Sequence, residues 1–289
     1  MTTACTIPPL EAHTPARVEL PNGVELHHVT AGAGTPLVFI HGAMGDWRSW
    51  AAQWEAFVAQ HRCTSYSRRY SHPNQNPMPS PDHSALLEAE DLHLFLQAMG
   101  IARAVLVGSS YGAFTALALA VAHPAQVAAI VAVEPPMLGY ADFSEAGRHE
   151  RARFRQAVIE PANAAFRAGD DITAAALMTG GINGAASSVN HGPAYERRLQ
   201  NLRAMRMLAL SSDEFPLLPP AQLAALQMPV LLLSGQDTPA IHAHTFNNVV
   251  KAMPQARVAR VAGAGHGVTR EQPAQFNAIA LGFLAEAGV

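Results

Sequence analysis

Apolar positions fall along this chain in two rhythms. Continuous apolar runs occupy residues 35–40, 104–107, 127–133 and 229–234, and mixed runs occupy 62–67 and 257–261. Runs of five or six residues without alternation fit strands buried on both faces, as in a parallel sheet. Between them lie longer stretches with helical composition or spacing: 47–60, 82–99, 113–122, 240–253 and 271–287. Trp47, Trp50, Trp54 and Phe57 mark one stripe of the first helix. That stripe reads as core. Pro81 and early acids open the second helix, and Gly100 closes it. Strand, helix, strand in alternation predicts an α/β fold with a mostly parallel, doubly wound sheet.

Two regions depart from that rhythm. Near the start, residues 17–20 and 24–29 flank Pro21-Asn22-Gly23, which predicts an N-terminal hairpin. Residues 1–15 hold three prolines and read as a loose arm. Later, residues 137–226 contain no convincing strand. Helices are predicted at 143–168, 171–178 and 194–209, punctuated by Gly180-Gly181-Ile182-Asn183-Gly184 and Phe215-Pro216. The expected organisation is a core of residues 1–136 and 227–289, with a helical cap at 137–226 inserted after the sixth strand.

Composition narrows the function classes. Of 289 residues, 49% are apolar and 14% charged, with a net charge of −3. That balance supports a sizeable core and argues against a nucleic-acid partner, which needs a basic face. No apolar run approaches the roughly 20 residues that span a bilayer. Residues 1–15 lack the basic start and apolar run of a signal peptide. Two cysteines, Cys5 and Cys63, suggest no disulfide framework. A cytoplasmic protein with a small-molecule substrate is expected, with no membrane partner.

The chemistry centres on Gly108-Ser109-Ser110-Tyr111-Gly112, which follows a strand and opens a helix. A G-x-S-x-G turn in that setting forces its serine into a strained backbone and lifts the hydroxyl clear, above the helix N-terminus. Ser110 is the candidate nucleophile. It needs a base, and the base needs an orienting acid. His266 lies between glycines after the last strand, at the sheet edge where such folds bind ligands. His27, His28 and His123 read as surface or packing groups. His242-x-His244 reads as a solvated helix start. No histidine, cysteine or carboxylate spacing implies a metal, and no cofactor is expected.

Four elements carry a resemblance: His41-Gly42 after a strand, Gly108-Ser109-Ser110-Tyr111-Gly112, Leu232-Leu233-Ser234-Gly235-Gln236-Asp237, and Gly265-His266. In that order they resemble the α/β-hydrolase fold superfamily, in its capped branch of serine hydrolases similar to epoxide hydrolases and proline iminopeptidases. The resemblance implies an oxyanion hole from the backbone N–H groups of Ala43 and Tyr111. It leaves two acids open. Most relatives place an acid three residues after the glycine of the 229–234 strand, but that position is Thr238, with Asp237 one early. Others place it at the end of the preceding strand, where Glu134 stands. Glu134 is favoured over Asp237. Ser67-Arg68-Arg69-Tyr70 departs from the family's usual acid, arginine and glycines, so Arg68 and Arg69 with the nearby His72 are candidates to hold an anionic substrate group, and His41 is a further candidate substrate contact. The expected activity is a cofactor-independent serine hydrolase, an esterase first. Carbon–carbon bond hydrolysis and a non-hydrolytic, ligand-binding or lyase-like use of the fold are the alternatives. Epoxide and haloalkane hydrolysis are disfavoured, because those relatives carry aspartate where this chain has Ser110.

Overall fold

The computed structural model describes residues 7–80, 83–184 and 192–289. Eight strands form one sheet: β1 (Ala16–Glu19), β2 (Glu25–Ala31), β3 (Pro36–Ile40), β4 (Arg62–Tyr66), β5 (Ala104–Ser109), β6 (Val127–Val133), β7 (Val230–Gly235) and β8 (Arg257–Val261). Their order is β1-β2-β4-β3-β5-β6-β7-β8. β2 runs antiparallel to both β1 and β4, and every later pairing is parallel. Asn22-Gly23 turns the hairpin; Gly23 adopts φ +76°, a conformation glycine takes without strain.

The apolar runs explain themselves in the packing. Val38, Ile40, Leu106, Ile130 and Leu232 face one layer of helices, with Phe95 and Phe114 among the partners. Leu37, Phe39, Val105, Val107, Val131 and Leu233 face the other, with Trp50, Trp54, Phe57 and Phe276. Both faces are covered, so alternation disappears from the sequence. The aromatic stripe is core: Phe39 stacks on Trp50 at 4.8 Å.

Register sets the site. Ile40 lies opposite Gly108, Ser109 opposite Val133, Val133 opposite Leu233, and Gly235 opposite Val261. The carboxyl ends of β3, β5, β6, β7 and β8 therefore open onto one edge. The residues that follow them share that edge.

Several element boundaries differ from expectation, each for a tertiary reason. Residues 47–60 divide into a 3₁₀ turn, Trp47–Trp50, and a helix, Ala51–Val58, because Asp46 and Ser49 cap each other's backbone. Residues 7–15 are not loose throughout: Leu10 is fully buried in a short turn. The second helix begins at Ser84, which caps it, and spans Ala85–Ala98; residues 81 and 82 lie outside the described residues. The closing helix is two, Val268–Glu271 and Pro273–Glu286, divided at the residue before Pro273.

Between β6 and β7 the described residues form only helices and turns. Glu145–Phe154 runs through a π turn, Arg155–Ile159, into Glu160–Ala168. Asp171–Asn183 follows, carrying Gly180 and Gly181 inside the helix rather than after it. Gly181 is small for packing: a Cβ there would sit 2.3 Å from Val158. The predicted 194–209 helix breaks into Pro193–Leu199 and Leu202–Leu210. Asn201 at the break is buried, donating to Asp46 Oδ2 at 3.1 Å and accepting from the His72 amide at 2.8 Å. No helix among the described residues is long and apolar enough to cross a membrane.

Candidate active site

Ser110 stands where β5 turns into the helix Tyr111–Ala122, with φ +50° and ψ −117°. A non-glycine residue there stores on the order of 1–3 kcal/mol of strain and needs its surroundings to hold it. The glycines supply the room. A Cβ at Gly112 would lie 2.0 Å from the Ile40 carbonyl oxygen, and one at Gly108 would lie 2.3 Å from that of Gly112. The Ser110 amide donates to the Val133 carbonyl at 2.8 Å, fixing the bend to β6.

His266 meets this hydroxyl. Its Nε2 lies 3.0 Å from Ser110 Oγ, and its Nδ1 lies 2.6 Å from Glu134 Oε2. The carboxylate takes the Nδ1 proton as a hydrogen bond, which leaves Nε2 as the acceptor toward the hydroxyl. Glu134 follows β6 directly and is also bent, with φ +46°. Its Oε1 accepts from the Ser234 hydroxyl at 2.8 Å and the Gly235 amide at 2.9 Å; its Oε2 also accepts from the Thr238 hydroxyl at 2.7 Å. Burial pushes this carboxyl up, but the hydrogen bond and charge of His266 and the other donors outweigh it and hold it at about 2.

The two candidate acids are thereby separated. Asp237 is exposed and its amide, not its carboxylate, is tied to the Ala264 carbonyl at 2.9 Å. Thr238 occupies the position where the resemblance expects an acid, and supports the acid of the neighbouring strand instead.

Ala43 and Tyr111 flank the nucleophile. Ala43 shares a pocket wall with Ser110. Tyr111 begins its helix, so its N–H has no intrahelical acceptor.

The proposed substrate contacts are placed elsewhere. His41 is fully buried; its Nε2 accepts from the Arg68 amide at 3.0 Å, and its Nδ1 donates to the Gly42 carbonyl at 2.8 Å. Burial, with Arg68 nearby, lowers this ring to about 3, so it is neutral. Arg68 is buried and paired with Glu88 at 2.9 Å. Arg69 makes a forked pair with Asp91 at 2.6 and 2.7 Å. None of the three, nor His72, lines the pocket.

His242, which the sequence places in a solvated helix start, differs from that expectation. It is buried, not solvated, and stacks on His266 with ring centres 4.0 Å apart and planes at 21°. Its Nε2 donates to the Ile182 carbonyl at 3.0 Å, at the end of the helix Asp171–Asn183. Burial, then the neighbouring His266, lowers it to about 3 and keeps it neutral. Glu134, His242 and His266 lie close enough together to suggest a metal site. The arrangement does not suit one. Nearly parallel rings aim their in-plane lone pairs side by side, and Glu134 already takes four donors.

The pocket above Ser110 encloses about 400 Å³ including its mouth. Its wall is apolar apart from Ser110 and His242: Pro136, Leu138, Phe154, Ile159, Met178, Ile182, Leu208 and Phe215 come from the segment between β6 and β7.

Comparison with known proteins bears on the family and the fold. A family described as "Alpha/beta hydrolase family" matches residues 37–279. The RutD protein of Klebsiella pneumoniae (strain 342), provisionally named a carbamate hydrolase, is 29% identical over 85% of this chain and 90% of its own length. The mouse sn-1-specific diacylglycerol lipase ABHD11 is 27% identical over 86% of this chain and 80% of its own. Among solved structures, the esterase RhEst1 from Rhodococcus sp. ECU1013 superposes with a TM-score of 0.72 at 22% identity, covering 94% of this chain and 99% of its own. A likeness at that identity speaks to the fold.

Proposed function

Because the chain belongs to the alpha/beta hydrolase family, we propose that it is a cofactor-independent serine hydrolase cleaving esters with small to medium, apolar acyl groups. One observation carries the reading: Ser110 Oγ, His266 and Glu134 form an unbroken line of contacts at 3.0 and 2.6 Å.

Ser110 Oγ attacks the carbonyl carbon as His266 Nε2 takes its proton. Glu134 holds the ring in the right tautomer and stabilises the imidazolium. The amides of Ala43 and Tyr111 receive the oxyanion. Collapse of the tetrahedral adduct returns the proton to the leaving alcohol and leaves an acyl-serine. Water, deprotonated by His266, attacks the ester, and Ser110 departs with the proton. The names of the relatives, carbamate hydrolase and esterases among them, agree with acyl transfer to water. The helical segment 137–226 acts as the lid, and its side chains make a dry wall for the acyl chain. Among the described residues no arginine or lysine lines that wall, which favours neutral acyl groups over acidic ones.

A panel of p-nitrophenyl esters of rising chain length tests activity and pocket size together. Hydrolysis is expected for short and medium chains, and Ser110→Ala should lose a factor of about 10⁴ or more in kcat. Labelling by a fluorophosphonate probe should vanish in the same variant. Folded wild-type protein that neither hydrolyses the esters nor takes the label would favour a binding role.

A further inference from the structure

We infer that Arg68 is a positioning residue for the oxyanion hole, bracing both of its donors from behind the pocket wall. The inference rests on the serine-hydrolase reading above.

Arg68 is 1% exposed and carries its charge into the core. Its counter-ion is Glu88, which also accepts from His83 Nε2 at 3.2 Å. Such a pair is an expensive way to fill space. Apolar side chains of similar volume often do as well or better. Moreover, the Arg68 Nε–H is buried without an acceptor. Hydrogen bonding alone does not explain why the guanidinium sits there.

Its neighbours do. One terminal nitrogen donates to the Gly42 carbonyl at 3.3 Å. That carbonyl belongs to the same peptide unit as the Ala43 N–H. In a trans peptide the two point in opposite directions, so whatever holds the oxygen aims the N–H. The Gly42 oxygen also accepts from His41 Nδ1 at 2.8 Å and from the Gly45 amide at 3.2 Å. His41 has its proton on Nδ1 because the Arg68 main-chain N–H occupies Nε2. Arg68 thus acts on this peptide twice, through its side chain directly and through its backbone by way of His41. Donors stacked on a carbonyl polarise the peptide, strengthening the opposite N–H by about 10–30% per bond.

The second donor is braced by the same group. The guanidinium carbon lies 3.7 Å from the centre of the Tyr111 ring. Tyr111 also donates its hydroxyl to Glu214. The ring is therefore held at its face and its tip, which fixes the residue whose amide follows the nucleophile. One buried cation touches both halves of the oxyanion hole without reaching the pocket.

The test replaces the ion pair by neutral groups of similar size, Arg68→Met with Glu88→Gln, so that no charge is left buried alone. Complete fluorophosphonate labelling counts the folded sites, and kcat is expressed per labelled site. A merely structural role lowers the count and leaves kcat per site unchanged. The proposal expects kcat per site to fall about 10- to 100-fold, below the loss from deleting an oxyanion donor outright. KM should stay within about threefold, because the ground-state contacts with the substrate remain. The Kd of an alkyl boronic acid, whose adduct with Ser110 mimics the tetrahedral intermediate, should rise by the same factor as kcat falls. Arg68→Lys keeps the charge but not the flat fork, and should lose about 3- to 10-fold in both readouts. Values within twofold of wild type for kcat per site and boronate Kd in the double variant overturn the proposal. Where the double variant does not fold, unchanged values in Arg68→Lys overturn it equally. A wild-type protein without label or turnover overturns the hydrolase reading instead, a result that no Arg68 variant can produce.

Discussion

The floor and the roof of the pocket are built on opposite principles. The floor is polar and made of strand ends: Ser110, Glu134 and His266 follow β5, β6 and β8 and are tied to one another and to backbone amides. Two of the three have positive φ, so their positions are enforced by the sheet rather than chosen by the residue. The roof is apolar and made of helix faces, with Phe154, Met178 and Leu208 supplying area without direction. His242 joins the two, stacked on His266 below and bonded to Ile182 above, and Glu214 and Phe215 reach from the roof segment to Tyr111. The contrast teaches a division of labour. A floor fixed by hydrogen bonds suits proton transfer, while a roof of side-chain volume suits selection by size.

The sharpest way to break that contrast is to disturb the floor without changing its volume. Glu134→Gln should lower kcat by about 10³- to 10⁴-fold, because an amide does not fix the His266 tautomer. Asp237→Asn should leave kcat within about twofold. Ester kinetics on both variants decide between the acids, and equal losses would remove Glu134 from its role.

Glu214 tests the joint on the floor's underside. Burial pushes its carboxyl up to about 6, against the ordinary glutamate value of 4.5 in the unfolded chain. Because the folded value is raised, the unfolded chain ionises first as pH rises. Stability therefore falls by about 2 kcal/mol between pH 4.5 and 6 and is level above. Glu214→Gln keeps an acceptor for the Tyr111 hydroxyl and removes this loss. Its melting temperature should gain on wild type across that window and hold the gain at pH 8.

His242→Phe keeps the stacked ring and deletes the bond to the roof. A buried carbonyl left without its donor costs about 1–3 kcal/mol, so melting at pH 7 should drop. The folded value of His242 is depressed to about 3, so its contribution is present above pH 6.5 and is lost as pH falls below that. The gap to wild type should narrow from pH 7 to pH 5; a gap independent of pH would count against a buried neutral ring.

The smallest effect belongs to the roof. Leu208→Ala should move the preferred acyl chain upward by one or two carbons, at about fourfold in kcat/KM per additional buried methylene. The ester panel reads this directly, and an unchanged optimum would place the acyl chain elsewhere.

Much of this was legible in the chain. The uninterrupted run at 127–133 meant burial on both faces, and β6 has every residue buried. Gly108 and Gly112 marked a bend whose backbone approaches leave no room for a Cβ. The placement of His242 was not legible, because a His-x-His beside Pro239 reads the same whether it faces solvent or a neighbouring ring. Arg68 and Arg69 were equally opaque. Adjacent cations suggest an anion, and their partners Glu88 and Asp91 lie three residues apart on a helix that only folding brings near.

By itself, then, the order of residues determined the alternation of elements, the hairpin, the bend at Ser110 and the two carboxylates worth weighing. These follow from local periodicity and backbone sterics, which act over a few positions. The choice of Glu134 at the imidazole, the burial of Arg68 behind the wall and the stacking of His242 were decided in three dimensions. Each depends on the register of distant strands and on the burial of charge, and neither quantity exists until the sheet has formed.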